Sequence, residues 1–228
     1  MPLKASTGNM YSFISHTWNP VRGDCGYGCQ YCYVRKWGKS IPLRIDEKCL
    51  RDDLGESNYI FICSGCDLFH PNIPDEWICR VIKHTQGFRR NKYLLHTKNP
   101  GRVLELTRGS PLPNQYTVCV TIESNRWYDE VGFASEPEAR LSVLSNISGN
   151  KMITVEPVMD FDVDEFSQQI IACKPLQVNI GANSGHYKLM EPSREKLEGL
   201  IEALSPFTAV HLKKNLRRLL PEHDLFGR

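Results

Sequence analysis

The sequence predicts an α/β fold, a partial (β/α) barrel of six or seven parallel-strand units forming one domain over residues 1–228. Three features carry that expectation. Short β-rich runs, each followed by a helical pattern, recur along the chain, as βα units on a parallel sheet do. The 228 residues are enough to bury a core, but too few for eight complete units with their loops. Within the β-rich runs, apolar and polar residues alternate, so each strand offers one apolar face to a helix layer and one polar face to the other side.

Strands are expected at Tyr11–Ser15, Tyr59–Cys63, Tyr93–Thr97, Tyr116–Ile122, Lys151–Glu156, Leu176–Gly181 and Thr208–Leu212. Helices are expected near Tyr31–Gly38, Asp75–Thr85, Gly101–Thr107, Glu136–Ser145, Val163–Ala172, Ser193–Leu204 and Lys213–Leu219. Pro74-Asp75, Glu136-Pro137-Glu138 and Pro192-Ser193 are helix-start signals. Residues 213–228 read as a basic C-terminal helix and tail. No internal repeat or linker divides the chain.

The alternation assigns faces. Val118, Val120 and Ile122 alternate with Thr117, Cys119, Thr121 and Glu123. Ile153 and Val155 alternate with Thr154 and Glu156, and Val178 and Ile180 with Gln177 and Asn179. His96 and Lys98 flank the end of the third run as His211 and Lys213 flank the end of the last. The polar set lines either a wet, ligand-filled lumen or the solvated face of an open sheet; alternation alone does not separate the two. Polar residues also collect where strands end: Ser64 and Asp67, Lys98 and Asn99, Glu123 and Asn125, Glu156, Asn183 and Ser184. That end of a βα barrel binds ligands, although Asp67, Asn99 and Ser184 are equally typical of caps and turns.

Composition narrows the class. The chain is 41% hydrophobic and 24% charged with a net charge of +2, so no strong global field selects a polyanionic partner. The opening MPLKASTGNMY has no apolar signal-peptide run, and no stretch approaches a membrane span. The expected location is the cytoplasm, where thiols stay reduced. Nine cysteines there, an odd number, point to metal binding, catalysis or packing rather than a disulfide framework.

One loop concentrates the chemistry: Cys25-Gly-Tyr-Gly-Cys29-Gln-Tyr-Cys32, a C-x3-C-x2-C spacing broken by glycines. By chance this spacing is expected about 0.014 times in a chain with this many cysteines. Thiolates are soft ligands that suit zinc or iron–sulfur iron. Three are one fewer than a closed structural site requires. On a [4Fe-4S] cluster, three ligands leave one iron open.

With Tyr31 before the third cysteine, this loop resembles the signature of the radical S-adenosylmethionine (SAM) superfamily. The longer string SHTWNPVRGDCGYGCQYCYV, with CDLFHPNIPDEW, LLHTKNPGRV, VTIESN, TVEPVMDF and VNIGANSG, resembles a phage- and prokaryote-associated radical-SAM-like family of undefined function. The likeness extends from His16 to about Lys214. It implies the partial-barrel fold, a 4Fe-4S cluster on Cys25, Cys29 and Cys32, and SAM chelating the open iron through its amine and carboxylate. It further implies reductive cleavage of SAM to a 5′-deoxyadenosyl radical that takes hydrogen from a substrate, with electrons from a donor such as flavodoxin or ferredoxin. Matched by strand end, Tyr31 packs near the adenine, and Ser64 and Asp67 stand at the methionine amine, although the usual Gly-Gly-Glu string is absent. Glu123 suits the ribose hydroxyls, since a carboxylate accepts two hydrogen bonds. Asn125, Glu156, Asn179 and Asn183 are candidates for the rest of SAM or the substrate.

Several residues keep more than one reading. Cys119, on the polar side of its strand, is a hydrogen-atom donor to a product radical or a core cysteine. Lys213 directly follows the last strand and is a candidate for the site. Cys63 and Cys66 are ligands that recruit a residue such as His70, a redox pair, or packing residues. Three basic clusters, beginning at Arg35, Arg89 and Lys213, either attract phosphates at the mouth or form a solvated surface. The first function is therefore a radical SAM enzyme acting on an unidentified substrate, with nucleic acid or a nucleotide preferred. The second is a zinc-stabilised nucleic-acid-binding module using the three cysteines with Cys63, Cys66 or His70.

Overall fold

The computed structural model of the chain describes residues 3–7, 10–34, 41–108, 112, 115–185 and 187–221. Its strands are β1 (Lys4–Ala5), β2 (His16–Trp18), β3 (Val21–Arg22), β4 (Arg44–Ile45), β5 (Tyr59–Ile62), β6 (Lys92–Thr97), β7 (Tyr116–Thr121), β8 (Asn150–Val155), β9 (Gln177–Ile180) and β10 (Ala209–Leu212). Its α-helices are α1 (Asp75–Thr85), α2 (Pro100–Thr107), α3 (Pro137–Ser145), α4 (Val163–Ala172) and α5 (Arg194–Leu204). Pro100 and Pro137 stand in the first turns of α2 and α3, where a missing N–H is harmless. The Ser193 side chain caps α5 by accepting the Lys196 N–H.

The main sheet runs β1-β2-β5-β6-β7-β8-β9-β10. Only β1 is antiparallel; every pair from β2 to β10 is parallel. The order has two ends, β1 and β10, so the sheet is an open, partial barrel rather than a closed one. β3 and β4 form a separate antiparallel pair. On the outer face Ile62, Leu95, Val120, Ile153 and Ile180 pack under the helices against Ile78, Val103, Leu144, Phe166 and Leu200. Apolar area removed from water at about 25 cal/mol per Å² makes this layer the main stabilising term.

Register sets the inner face. His96, Cys119 and Met152 lie level across β6, β7 and β8. One step toward the strand ends, Thr121, Thr154, Asn179 and His211 lie level across β7 to β10. The polar alternation is therefore an inner wall, but not a wholly wet one. Tyr11, Ile14, Phe61, Leu94, Cys119 and Met152 form a second apolar cluster inside it.

That cluster corrects the first expected strand. Tyr11–Ser15 is not a strand; β2 begins at His16. Tyr11 and Ile14 are instead buried, and Tyr11 Oη hydrogen-bonds Thr154 Oγ1 at 2.7 Å. A short aromatic alternation fits a plug as well as a strand. The last expected helix is also different: Lys214–Arg218 forms a short 3-10 run, and residues 222–228 lie outside the described residues. So do 35–40, which hold the second half of the helix expected at Tyr31–Gly38 and the basic cluster starting at Arg35. No helix of the described residues is long and apolar enough to cross a membrane.

Candidate active site

At the C-terminal ends of the parallel strands lies a cavity of about 500 Å³. Its wall includes Cys25, Cys29 and Cys32, Tyr31, Ser64 and Asp67, Lys98, Glu156 and Lys213. The size suits a small-molecule site. Residues far apart in sequence meet here because every parallel strand delivers its last residues to the same rim.

The cysteine loop follows β3. It is wound tightly at its glycines: a Cβ on Gly26 would stand 2.5 Å from the His70 ring. The loop rests on a small core of Tyr27, Cys29, Val131, Ala134 and Met159. The segment after β7 docks on it through Gln30 N–H to Glu130 O and Phe133 N–H to Tyr27 O. Burial, then the Asp67 charge, pushes the Cys25 thiol up to about 12, and burial likewise raises Cys29. Buried sulfurs of this kind keep their protons until a cation compensates the thiolate. Among the described residues, no three Cys, His, Asp or Glu side chains are gathered as ligands of one metal ion. The three thiols share a wall rather than a point.

The donor set fits a soft metal group. Cys63 and Cys66, on the same wall, each donate to the Val21 carbonyl oxygen, at 3.8 and 3.3 Å. His70 accepts the Asn72 N–H on Nδ1 and meets the Tyr27 ring edge-on. What sets the trio apart from Cys63 and Cys66 is that its three thiols come from one short loop on this wall.

Two ion-paired hubs flank the trio. In the first, Glu123 accepts from Tyr31 Oη at 2.5 Å, from Lys98 Nζ, and from Arg140 Nη2 at 2.9 Å. Burial raises the Glu123 carboxyl, but Arg140, Lys98 and the hydrogen bonds from Lys98 and Tyr31 outweigh it and hold it well below the ordinary range. Lys98 Nζ also donates to Tyr31 Oη at 2.9 Å. In the second hub, Glu156 accepts from Lys213 Nζ at 2.5 Å and from Asn215 Nδ2 at 2.8 Å. Lys213 Nζ sits 4.6 Å over the Tyr11 ring. The carboxylate of Glu156 occupies the space a Cβ on Gly181 would fill, at 2.7 Å. Between the hubs, His96 bonds Thr121 Oγ1 at 2.7 Å, and burial, then Lys98 and Lys213, lowers its pKa to about 3.

The remaining expected site residues divide by what they touch. Ser64 lines the cavity, donates to Asn19 Oδ1 and accepts Tyr33 Oη on its carbonyl oxygen. Asp67 also lines it, but its carboxylate accepts from Thr97 Oγ1, Lys98 N and Phe69 N, tying the end of β5 to β6. Asn125, Asn179, Asn183 and Cys119 do not reach this wall. Asn125 binds Glu165 and the Asp162 N–H at the start of α4. Asn183 shapes its own loop through Gly185 N and Tyr187 O. Asn179 is fully buried beside Gln177 and Thr154. Cys119 lies in the inner apolar cluster, 3.4 Å from Thr154 Oγ1, and burial pushes its thiol up to about 12. Tyr11, Arg140 and Asn215 were not singled out in the sequence. Only Arg140 leaves a trace there: an arginine beside Pro137, Leu141 and Leu144 on the buried stripe of α3.

A family model described as "Protein of unknown function (DUF5131)" matches residues 9–188. No curated protein matches the chain. Among solved structures, spore photoproduct lyase complexed with dinucleoside spore photoproduct is similar at a TM-score of 0.62 and 11% identity, over 91% of this chain and 78% of that one. A mutant of that lyase with bound AdoMet and the dinucleoside gives 0.61 at 12% identity, over 91% and 78%. Another mutant gives 0.64 at 12% identity, over 92% and 79%. At such identity the likeness is one of fold, and it places this chain among the partial (β/α) barrels.

Proposed function

We propose that this chain, which belongs to the DUF5131 family of proteins of unknown function, is a radical SAM enzyme. One observation carries the reading: the C-x3-C-x2-C thiols line the rim cavity of a partial barrel, the fold of a lyase that has been solved with AdoMet bound. Cys25, Cys29 and Cys32 would hold a 4Fe-4S cluster, and SAM would fill the cavity beside it. When bound, the pair supplies one-electron cleavage of SAM to a 5′-deoxyadenosyl radical.

The chain's own residues do the rest. Tyr31, fixed by Glu123 and Lys98, presents its ring to the cavity for the adenine. Ser64 is the better candidate for the methionine amine, because Asp67 already accepts three protein donors. Glu156 and Lys213 offer a polar pair opposite, for SAM or substrate. The buried floor made by Tyr11 and Phe61 keeps water from a reactive intermediate. The substrate class is nucleic acid or a nucleotide, supported by the dinucleoside in the similar lyase.

Anaerobic purification and reconstitution test this reading. The expected product is brown protein with iron and sulfide that cleaves SAM under reduction. Cys29→Ala should lose both properties. Colourless protein carrying one zinc, or a Cys29→Ala variant that still cleaves SAM reductively, overturns it in favour of the zinc-stabilised module.

A further inference from the structure

We propose that Lys98, pinned by Glu123 and Tyr31, is a fixed buried cation that raises the reduction potential of a cluster on the cysteine loop. The proposal rests on the radical SAM reading.

Lys98 follows β6 directly, and its side chain is 13% exposed. Its ammonium reaches Tyr31 Oη, and Tyr31 stands between Cys29 and Cys32, so the charge is fastened to the ligand loop itself. Glu123 pairs with this ammonium, and Arg140 pairs with Glu123 in turn: the side chains of that second pair are 0% and 1% exposed. Two cations against one carboxylate leave this hub with a net charge of about +1, on the Cys29 side of the loop. Glu156 and Lys213, across the cavity, neutralise one another. The buried Asp67 is the opposing charge, on the Cys25 side, where it is dispersed over three hydrogen bonds. Lys98 and the three cysteines also line the same cavity.

Reduction adds one negative charge to a cluster, so a nearby fixed cation stabilises the reduced form. Net charge and hydrogen bonding around the sulfurs set iron–sulfur potentials over a wide range. The arginine from α3 gives this cation a rigid anchor outside the cavity, which SAM would not displace.

The test is an EPR-monitored redox titration of the full chain, reconstituted anaerobically, as wild type, Lys98→Met and Lys98→Arg. Iron content is measured first. Lys98→Met should lower the equilibrium constant for reduction about tenfold, a fall of about 59 mV for one electron. Lys98→Arg, which keeps the charge, should stay near wild type. Lys98→Gln replaces the methionine variant if that one does not hold the cluster. A neutral variant with full iron and an unchanged midpoint overturns the role of Lys98 alone. An arginine variant shifted as far as the neutral one also overturns it. A wild type that takes up no cluster overturns this role together with the radical SAM reading.

Discussion

Glu123 shows what one buried side chain can organise. Its carboxylate takes three donors from three different parts of the chain: Tyr31, Lys98 and Arg140. Removing one partner of a buried charge is costly, because the other is left uncompensated. Arg140→Met should destabilise the protein by about 3 kcal/mol, read from urea unfolding. Adding Glu123→Gln to that variant should recover part of the loss, which a merely steric role for Arg140 would not allow. His96 makes the pH prediction. Its pKa is lowered to about 3 by burial and then by Lys98 and Lys213. An unfolded histidine titrates near 6.5, so between these values the unfolded state binds the extra proton and stability falls as pH falls. Its contribution is complete above pH of about 6.5 and is lost at up to about 1.4 kcal/mol per pH unit below it. Unfolding free energies at pH 6.5 and 5 should therefore differ less in His96→Gln than in wild type; an equal pH slope in both would refute the assignment.

Among the elements, the segment after β7 matters most to the site. Gly132 has φ of +77°, and a Cβ there would stand 2.0 Å from the Tyr27 carbonyl oxygen. Left-handed backbone costs a non-glycine residue about 1–2 kcal/mol, and this contact adds a collision with the cysteine loop itself. Gly132→Ala should retain the far-UV spectrum of the βα units yet take up clearly less iron on reconstitution. Unaltered iron uptake would mean that the docking of this segment does not shape the ligand loop. α3 is the other instructive element: its inner stripe carries Arg140 beside Leu141 and Leu144. Helical spacing predicts that this position is buried. It does not predict that a guanidinium there would find Glu123 and the Thr121 carbonyl oxygen.

At the scale of the whole molecule, the sheet order ends at β1 and β10, and the cavity sits at the C-terminal ends of its parallel strands. With a net charge of only +2, electrostatic attraction to the proposed nucleic-acid substrate would have to be local. A site that neutralises about three phosphates of a single strand should bind about twentyfold more weakly at 200 mM than at 50 mM salt. Fluorescence anisotropy of a labelled single-stranded oligonucleotide would measure it, and a flat salt response would count against a nucleic-acid substrate.

The parallel βα units with their apolar faces, and the spacing of the three thiols, were already determined by the sequence alone. Each depends on residues a few positions apart, where backbone geometry fixes how side chains relate. Alternation also put Thr121, Thr154 and Glu156 on the inner side. Depth and partnership were decided only by the tertiary structure. It turned Tyr11–Ser15 from an expected strand into part of a plug, drew Asn125 and Asn183 into loop contacts, and enclosed Cys119 below the cavity. The pairs that define the rim lie 92 residues apart for Tyr31 and Glu123, and 57 for Glu156 and Lys213. Periodicity says which way a side chain faces, but a buried charge is stable only with its counterpart, and that counterpart arrives from a distant part of the chain when the sheet and its helices pack together.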